Sequence, residues 1–183
     1  ASLPKNLKII DLSADFRIRD VNVYEQWYKH KHSQPEMQKE AVYGLTEIYG
    51  DEVKSANLIA NPCCYPTSIL IPLIPLLRDK VISPEQIIID SKSGYSGAGA
   101  KADELKAEVQ DSIKVYGLEG HRHLAEIEQE LSVANGKEMK VSFTAHALPI
   151  FRGMTSMISV QLAKGKTIDD VRKSLAKKYA NSK

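Results

Sequence analysis

Residues 138–163 read EMKVSFTAHALPIFRGMTSMISVQLA. Glu138 to Leu148 and Met154 to Ala163 are runs that predict two long strands, and Pro149-Ile150-Phe151-Arg152-Gly153 separates them. Upstream, Gln86 to Asp90, Asn57 to Ala60 and Leu7 to Leu12 are short apolar runs that read as buried strands. Between them lie helical patterns. Arg122 to Val133 is amphipathic, with Leu124, Ile127 and Leu131 on its buried stripe and Asn135-Gly136 closing it. Lys101 to Gln110 reads as a charged surface helix. Val21 to Lys31 reads as a helix with Tyr24, Trp27 and Tyr28 on one face. Thr167 caps a last helix through Ala180, with Asp169 and Asp170 in its first turn and Lys177 and Lys178 in its last. The expected class is α+β (α/β), a mixed β-sheet with helices packed on it.

One turn matters more than the others. Asn61-Pro62-Cys63-Cys64-Tyr65-Pro66-Thr67 leads into an apolar helix through Arg78. Pro66 suits a first helical turn, where its missing N–H costs nothing. Pro72 and Pro75 fall inside and are expected to kink or shorten that helix.

Composition narrows the function. The chain has 183 residues, 25 Lys+Arg against 23 Asp+Glu and a net charge of +2, which argues against a strongly basic nucleic-acid binder. No run approaches the ~18 apolar residues of a membrane span. The start, ASLPKNLKIIDLS, lacks the charged and apolar regions of a secretory signal. The two cysteines are neighbours, which excludes a disulfide framework and fits a reducing, cytoplasmic compartment. The chain has no initiator Met and reads like a piece of something longer.

Cys64 precedes a predicted helix N-terminus. Unpaired N–H groups and the helix dipole there favour a reactive thiolate of lowered pKa, and the same N–H groups suit an oxyanion. The alternative is a buried structural cysteine. Cys63, pointing to the other side of the turn, reads as structural. His121 and His123 flank Arg122, and Glu126 shares a helix face with His123 where it could orient the imidazole. The alternative for each histidine is a partly exposed polar residue. His30 and His32 sit in a charged run and read as solvated. Adjacent cysteines fit a zinc site poorly. Ser93-Gly94-Tyr95-Ser96-Gly97-Ala98-Gly99 has the context for a phosphate-holding loop but not the spacing GxGxxG, and taken alone it reads as an ordinary flexible turn. Arg152 reads as surface, or as a contact for an anionic substrate.

Six segments together are similar to a known family: Asp11-Leu-Ser-Ala-Asp-Phe-Arg17, Val42-Tyr-Gly-Leu-Thr-Glu47, Ala60-Asn-Pro-Cys-Cys-Tyr-Pro-Thr67, Lys92-Ser-Gly-Tyr-Ser-Gly-Ala-Gly99, Gly120-His-Arg-His-Leu-Ala-Glu-Ile127 and Arg152-Gly-Met154. The chain resembles the N-acetyl-gamma-glutamyl-phosphate reductases, NADP-dependent enzymes of arginine biosynthesis related to aspartate-semialdehyde dehydrogenase. Two departures stand out. Cys63 replaces the family's Gly and is strained if the position needs positive φ. Ala125 replaces a common Pro. The resemblance implies a glyceraldehyde-3-phosphate-dehydrogenase-like C-terminal domain at 61–183, preceded by a remnant of the nucleotide-binding domain at 1–60. It implies Cys64 as nucleophile, His123 as acid/base and His121 as the second candidate. Asn61, Arg122, Glu126 and Arg152 would face substrate, and Ser96, Gly97 and Gly99 would approach the NADP cofactor.

The implied reaction is reduction of an acyl phosphate, N-acetyl-glutamyl 5-phosphate, to its semialdehyde through a Cys64 thioester. The expected assembly is a homodimer or homotetramer, with no nucleic-acid partner and no membrane. Two other readings stand beside it: a relative acting on an aspartyl or aminoadipyl substrate, and an inactive self-associating module.

Overall fold

The computed structural model describes residues 7–182. The first six residues, part of the stretch read above as lacking a signal, lie outside the described residues. Two sheets form, and they divide the chain. Strands β1 (Ile9–Asp11), β2 (Val42–Tyr43) and β3 (Leu58–Ala60) make a parallel sheet in the order β1-β3-β2. Around it lie helices α1 (Val21–Tyr28), α2 (Pro35–Gln38) and α3 (Thr46–Ser55). Helix α4 (Cys64–Arg78) then enters the second unit. Strands β4 (Ile88–Gly94), β5 (Lys114–Tyr116), β6 (Ser142–Leu148) and β7 (Met154–Ser159) form a mixed sheet in the order β5-β6-β4-β7. Helices α5 (Ala102–Val109), α6 (His123–Asn135) and α7 (Ile168–Tyr179) complete it.

The two long strands of residues 138–163 are consecutive but do not pair with each other. β4 lies between them, parallel to β6 and antiparallel to β7. The link Pro149–Gly153 crosses the end of β4 and is fixed there by backbone bonds: Gly94 N–H donates to Gly153 O, Tyr95 N–H to Ile150 O and Ser96 N–H to Phe151 O. A Cβ on Gly94 would lie 2.7 Å from the Ile150 and Phe151 carbonyl oxygens, so only glycine permits the crossing.

Helix α4 is the spine of the core. Ile69, Leu70, Leu73 and Ile74 are buried against Ile127 and Leu131 of α6 and Ile89 of β4. Pro72 and Pro75 do not shorten it; it runs unbroken to Arg78. The carbonyl that Pro75 leaves without its usual donor is Ile71 O, and the Tyr179 hydroxyl of α7 donates to it instead.

Other differences from the sequence reading have local causes. β4 runs past the predicted strand end at Asp90 as far as Gly94, and a 3-10 turn follows over Tyr95–Lys101. Ser91 and Ser93 face the core because their hydroxyls find partners there, at Ser156 Oγ (2.6 Å) and the Tyr65 hydroxyl (3.0 Å). In α6 the buried stripe is Ala125, Glu126, Ile127, Glu130 and Leu131, while Leu124 is half-buried. His32 is buried, not solvated: it lies 2.7 Å from Asp15 O and accepts from Gln34 N–H at Nδ1. Helix α1 stops at Tyr28 because Lys29 turns left-handed at φ 62°. α2, α3, β2 and β5 were not anticipated from the sequence.

Candidate active site

Cys64 is the first residue of α4 and Cys63 is its N-cap. Cys63 has φ −70° and ψ 164°, ordinary extended backbone, so the expected strain is absent. Its carbonyl accepts from Thr67 N–H (3.0 Å) and Thr67 Oγ1 (2.8 Å), which starts the helix. Arg17 holds the turn from behind. Its Nε donates to Asn61 O at 2.6 Å, one terminal nitrogen to Leu12 O at 2.7 Å and the other to Cys63 Sγ. The Cys63 sulfur is thus engaged away from solvent, and burial pushes its thiol up to about 12, with the Glu126 carboxylate adding to the effect. Cys64 is exposed. Its thiol is pulled both ways: neighbouring protein raises it, while the backbone N–H groups of Tyr65 and Cys64 lower it. The net direction is upward, a correction to the lowered value expected from the helix terminus alone. Because the side chain reaches solvent, that desolvation is partial.

His121 and His123 stand at the start of α6 with ring centroids 4.6 Å apart, and each meets the Tyr65 ring edge-on at 5.8 Å. Burial lowers His121 to about 4, with Arg122 beside it contributing. Burial, His121, Arg17 and Arg122 lower His123 to about 3. Both are neutral imidazoles at physiological pH. The His123 backbone N–H donates to His121 Nδ1 at 3.1 Å, so His121 carries its proton on Nε2. His123 Nδ1 is buried with no hydrogen-bond partner among the described residues.

Glu126 does not orient His123. Its Oε1 accepts from the Tyr43 hydroxyl (2.5 Å) and from Cys63 N–H (3.0 Å), and the residue is 1% exposed. It therefore braces the cysteine turn against α6, one turn below the imidazoles. Glu130, also buried, takes Arg19 and the Tyr49 hydroxyl in the same way.

A cavity of about 410 Å³ opens in front of Cys64. Of the residues singled out from the sequence, Cys64, His121, Arg122, His123 and Gly97 line it. Asn61, Glu126, Ser96, Gly99 and Arg152 do not. Asn61 is occupied at its carbonyl by Arg17, and the Ser96 amide bonds Phe151. Arg152 is exposed on the β6–β7 link, its guanidinium 5.1 Å from the Phe151 ring. The cavity also has walls the sequence reading passed over: Lys101, Glu104 and Glu108 beside α5, and Lys114 and Tyr116 on β5. A signal existed for α5, whose charged residues recur at helical spacing. None existed for β5, which is placed only by pairing with β6. Among the described residues, no three His, Cys, Asp or Glu side chains converge on a metal position.

Comparison with known proteins agrees with this architecture. Residues 64–183 match the family model described as "Semialdehyde dehydrogenase, dimerisation domain". The chain is 51% identical over 97% of its length to the probable chloroplastic N-acetyl-gamma-glutamyl-phosphate reductase of Oryza sativa subsp. japonica, covering 43% of that protein. It is 50% identical over 94% of its length to the N-acetyl-gamma-glutamyl-phosphate reductase of Afipia carboxidovorans, covering 49% of it. The chain therefore spans about half the length of the curated relatives it matches. In fold it is similar to aspartate semialdehyde dehydrogenase II of Vibrio cholerae (TM-score 0.59, 19% identity, 80% of this chain and 51% of that one). The chain belongs to the semialdehyde dehydrogenase family, carries its dimerisation domain, and has N-acetyl-gamma-glutamyl-phosphate reductases as its relatives within it.

Proposed function

We propose that this chain is the catalytic half of an NADPH-dependent reductase that converts N-acetyl-glutamyl 5-phosphate to N-acetyl-glutamate 5-semialdehyde, a step of arginine biosynthesis. On this reading residues 61–183 serve as the catalytic and dimerisation domain, and 1–60 belong to a nucleotide-binding domain. The observation that carries the reading is the shared cavity: an exposed thiol at a helix N-terminus with two neutral imidazoles and a guanidinium.

Chemistry follows from those groups. The Cys64 thiol attacks the acyl carbon as its proton passes to His123, a neutral imidazole. The C–S bond forms, the acyl C–O bond to phosphate breaks, and phosphate leaves beside Arg122. The oxyanion of each tetrahedral state lies at the start of α4, where the first-turn N–H groups have no helical acceptor. His121, with its proton fixed on Nε2, is a neutral donor in the same cavity. His123 returns its proton to the product oxygen and takes back the one released when the C–S bond breaks. When bound, NADPH supplies the hydride that takes the thioester to the aldehyde level.

The 3-10 segment fits the reacting end of that cofactor. Gly97 faces the cavity, and a Cβ there would meet only Ser93 Oγ, at 3.7 Å. Nothing lies within 4 Å of a Cβ at Gly99. Gly99 lies outside the cavity lining and is glycine because its φ is +59°, so the open, side-chain-free approach is at Gly97. The Ser96 amide is already bonded and is not part of it.

Self-association fits the uncovered face of the four-stranded sheet. Ile88, Met157 and Val115 point to that side and are 55%, 62% and 42% exposed. A second copy covering it gives the expected homodimer, and two such dimers the homotetramer. No helix among the described residues is long and apolar enough to cross a membrane. A cytoplasmic site remains part of this proposal, beside a rice relative whose name places it in the chloroplast.

The test is acyl capture. Mixing the chain with N-acetyl-glutamyl phosphate and no cofactor should give a hydroxylamine-sensitive N-acetylglutamyl adduct on the Cys64 peptide, absent in Cys64→Ser. An adduct on Cys63, or none, contradicts the reading. Faster acylation by aspartyl or aminoadipyl phosphate would move the proposal to those substrates.

A further inference from the structure

The cavity holds a cation for which the reaction outlined above has no use. Three cationic side chains line it: Lys101, Lys114 and Arg122. Arg122 adjoins His123 at the reacting end, with its guanidinium 5.5 Å from the Tyr28 ring centroid. Lys114 is paired with Glu108. Lys101 is exposed at the end of the 3-10 segment and makes no ion pair among the described residues. Two carboxylates, Glu104 and Glu108, share its wall, and the pairing of Glu108 with Lys114 leaves Glu104 as the opposing charge.

We propose that Lys101 determines specificity for the far end of the substrate, pairing with the carboxylate that the acyl chain carries away from its reacting carbon. The inference rests on the function proposed above. It adds a residue that neither the family resemblance nor the motifs assign. In an N-acetylglutamyl chain that carboxylate lies four bonds, roughly 5 Å, from the carbon that Cys64 attacks. That distance fits within a cavity of this size, and Lys101 stands on an element other than those bearing Cys64 and His123. Phosphate needs the cation beside the reacting carbon, which is Arg122, and the unpaired Lys101 remains for the second anion. A charge-assisted bond of this kind contributes about tenfold in affinity.

The test needs no cofactor, because an aldehyde adds reversibly to a thiol. The C–S bond forms and the thiol proton goes to the aldehyde oxygen, giving a thiohemiacetal. Protection of Cys64 from iodoacetamide is measured with N-acetyl-glutamate 5-semialdehyde and with 4-acetamidobutanal, which lacks the carboxylate. The intact chain should favour the first by about tenfold. Lys101→Met should remove that preference and Lys101→Arg should restore most of it. Arg122→Met should leave the preference in place. If both aldehydes protect equally in the unaltered chain, or Lys101→Met keeps the preference, the inference fails while the proposed function stands. The same holds if Arg122→Met is the variant that loses it. If neither aldehyde protects, the role of Cys64 falls and this inference falls with it.

Discussion

At the scale of single residues, two adjacent cysteines are given different surroundings by what each faces. Cys63 turns back onto Arg17 and Cys64 faces the cavity. Placing Cys64 just before a helix N-terminus needs only local rules, a Pro in the turn and apolar residues after it, and the helix begins one residue earlier, at Cys64 itself. The role of Glu126 was not legible in the same way. Spacing puts it on the His123 face, but Tyr43, from a strand far away in sequence, competes for the carboxylate. Glu126→Ala should therefore destabilise the fold by about 3 kcal/mol, because two buried donors lose their acceptor, while Glu126→Gln keeps one acceptor and costs about 1 kcal/mol. Urea denaturation checks both.

The histidines give a pH signature. His121 and His123 have folded values of about 4 and 3, below the ordinary 6.5, so the folded chain binds fewer protons than the unfolded one between those limits. Their contribution to stability is present above pH 6.5 and is lost as pH falls from there toward 3. Glu126, raised by burial, acts in the opposite sense below its own value. The apparent Tm should fall between pH 7 and pH 4.5, and His123→Phe should make that fall shallower.

At the scale of elements, α4 shows where sequence rules misled. Two prolines inside a helix predict a kink or an early end. The helix is not shortened, and α7 brings Tyr179 to the carbonyl that Pro75 orphans. Tyr179→Phe should cost about 1 kcal/mol by thermal or urea unfolding. In a Pro75→Ala background, where the helix regains its own donor, the same change should cost close to nothing. A double-mutant cycle reads that difference. The serines of β4 tell a similar story. Ser91 and Ser93 look like loop residues in isolation, and only Ser156 and Tyr65, placed by tertiary structure, make them strand residues. His32 looks solvated in sequence for the same reason, since it is Asp15 and Gln34 that satisfy both its ring nitrogens.

At the scale of the whole molecule, the mixed sheet and its helices were legible because two long strands follow one another with helical patterns on either side. The strand order was not, since nothing local places β4 between β6 and β7. One consequence concerns assembly. Ile88→Asp or Met157→Lys, on the uncovered sheet face, should shift the chain to monomer in light scattering after size exclusion without lowering its Tm. Unchanged mass would contradict the sheet face as the contact.

The central claim is that Cys64 attacks as a neutral thiol beside a neutral imidazole, while Cys63 takes no part. Alkylation of each cysteine, followed peptide by peptide against pH, tests it most directly. The account predicts that Cys64 reacts first, with its midpoint above the ordinary thiol value of about 8.5, and that Cys63 stays silent until the pH nears 12. A Cys64 midpoint below neutrality would reveal a preformed thiolate–imidazolium pair, and faster labelling of Cys63 would name the wrong nucleophile; either result contradicts the account.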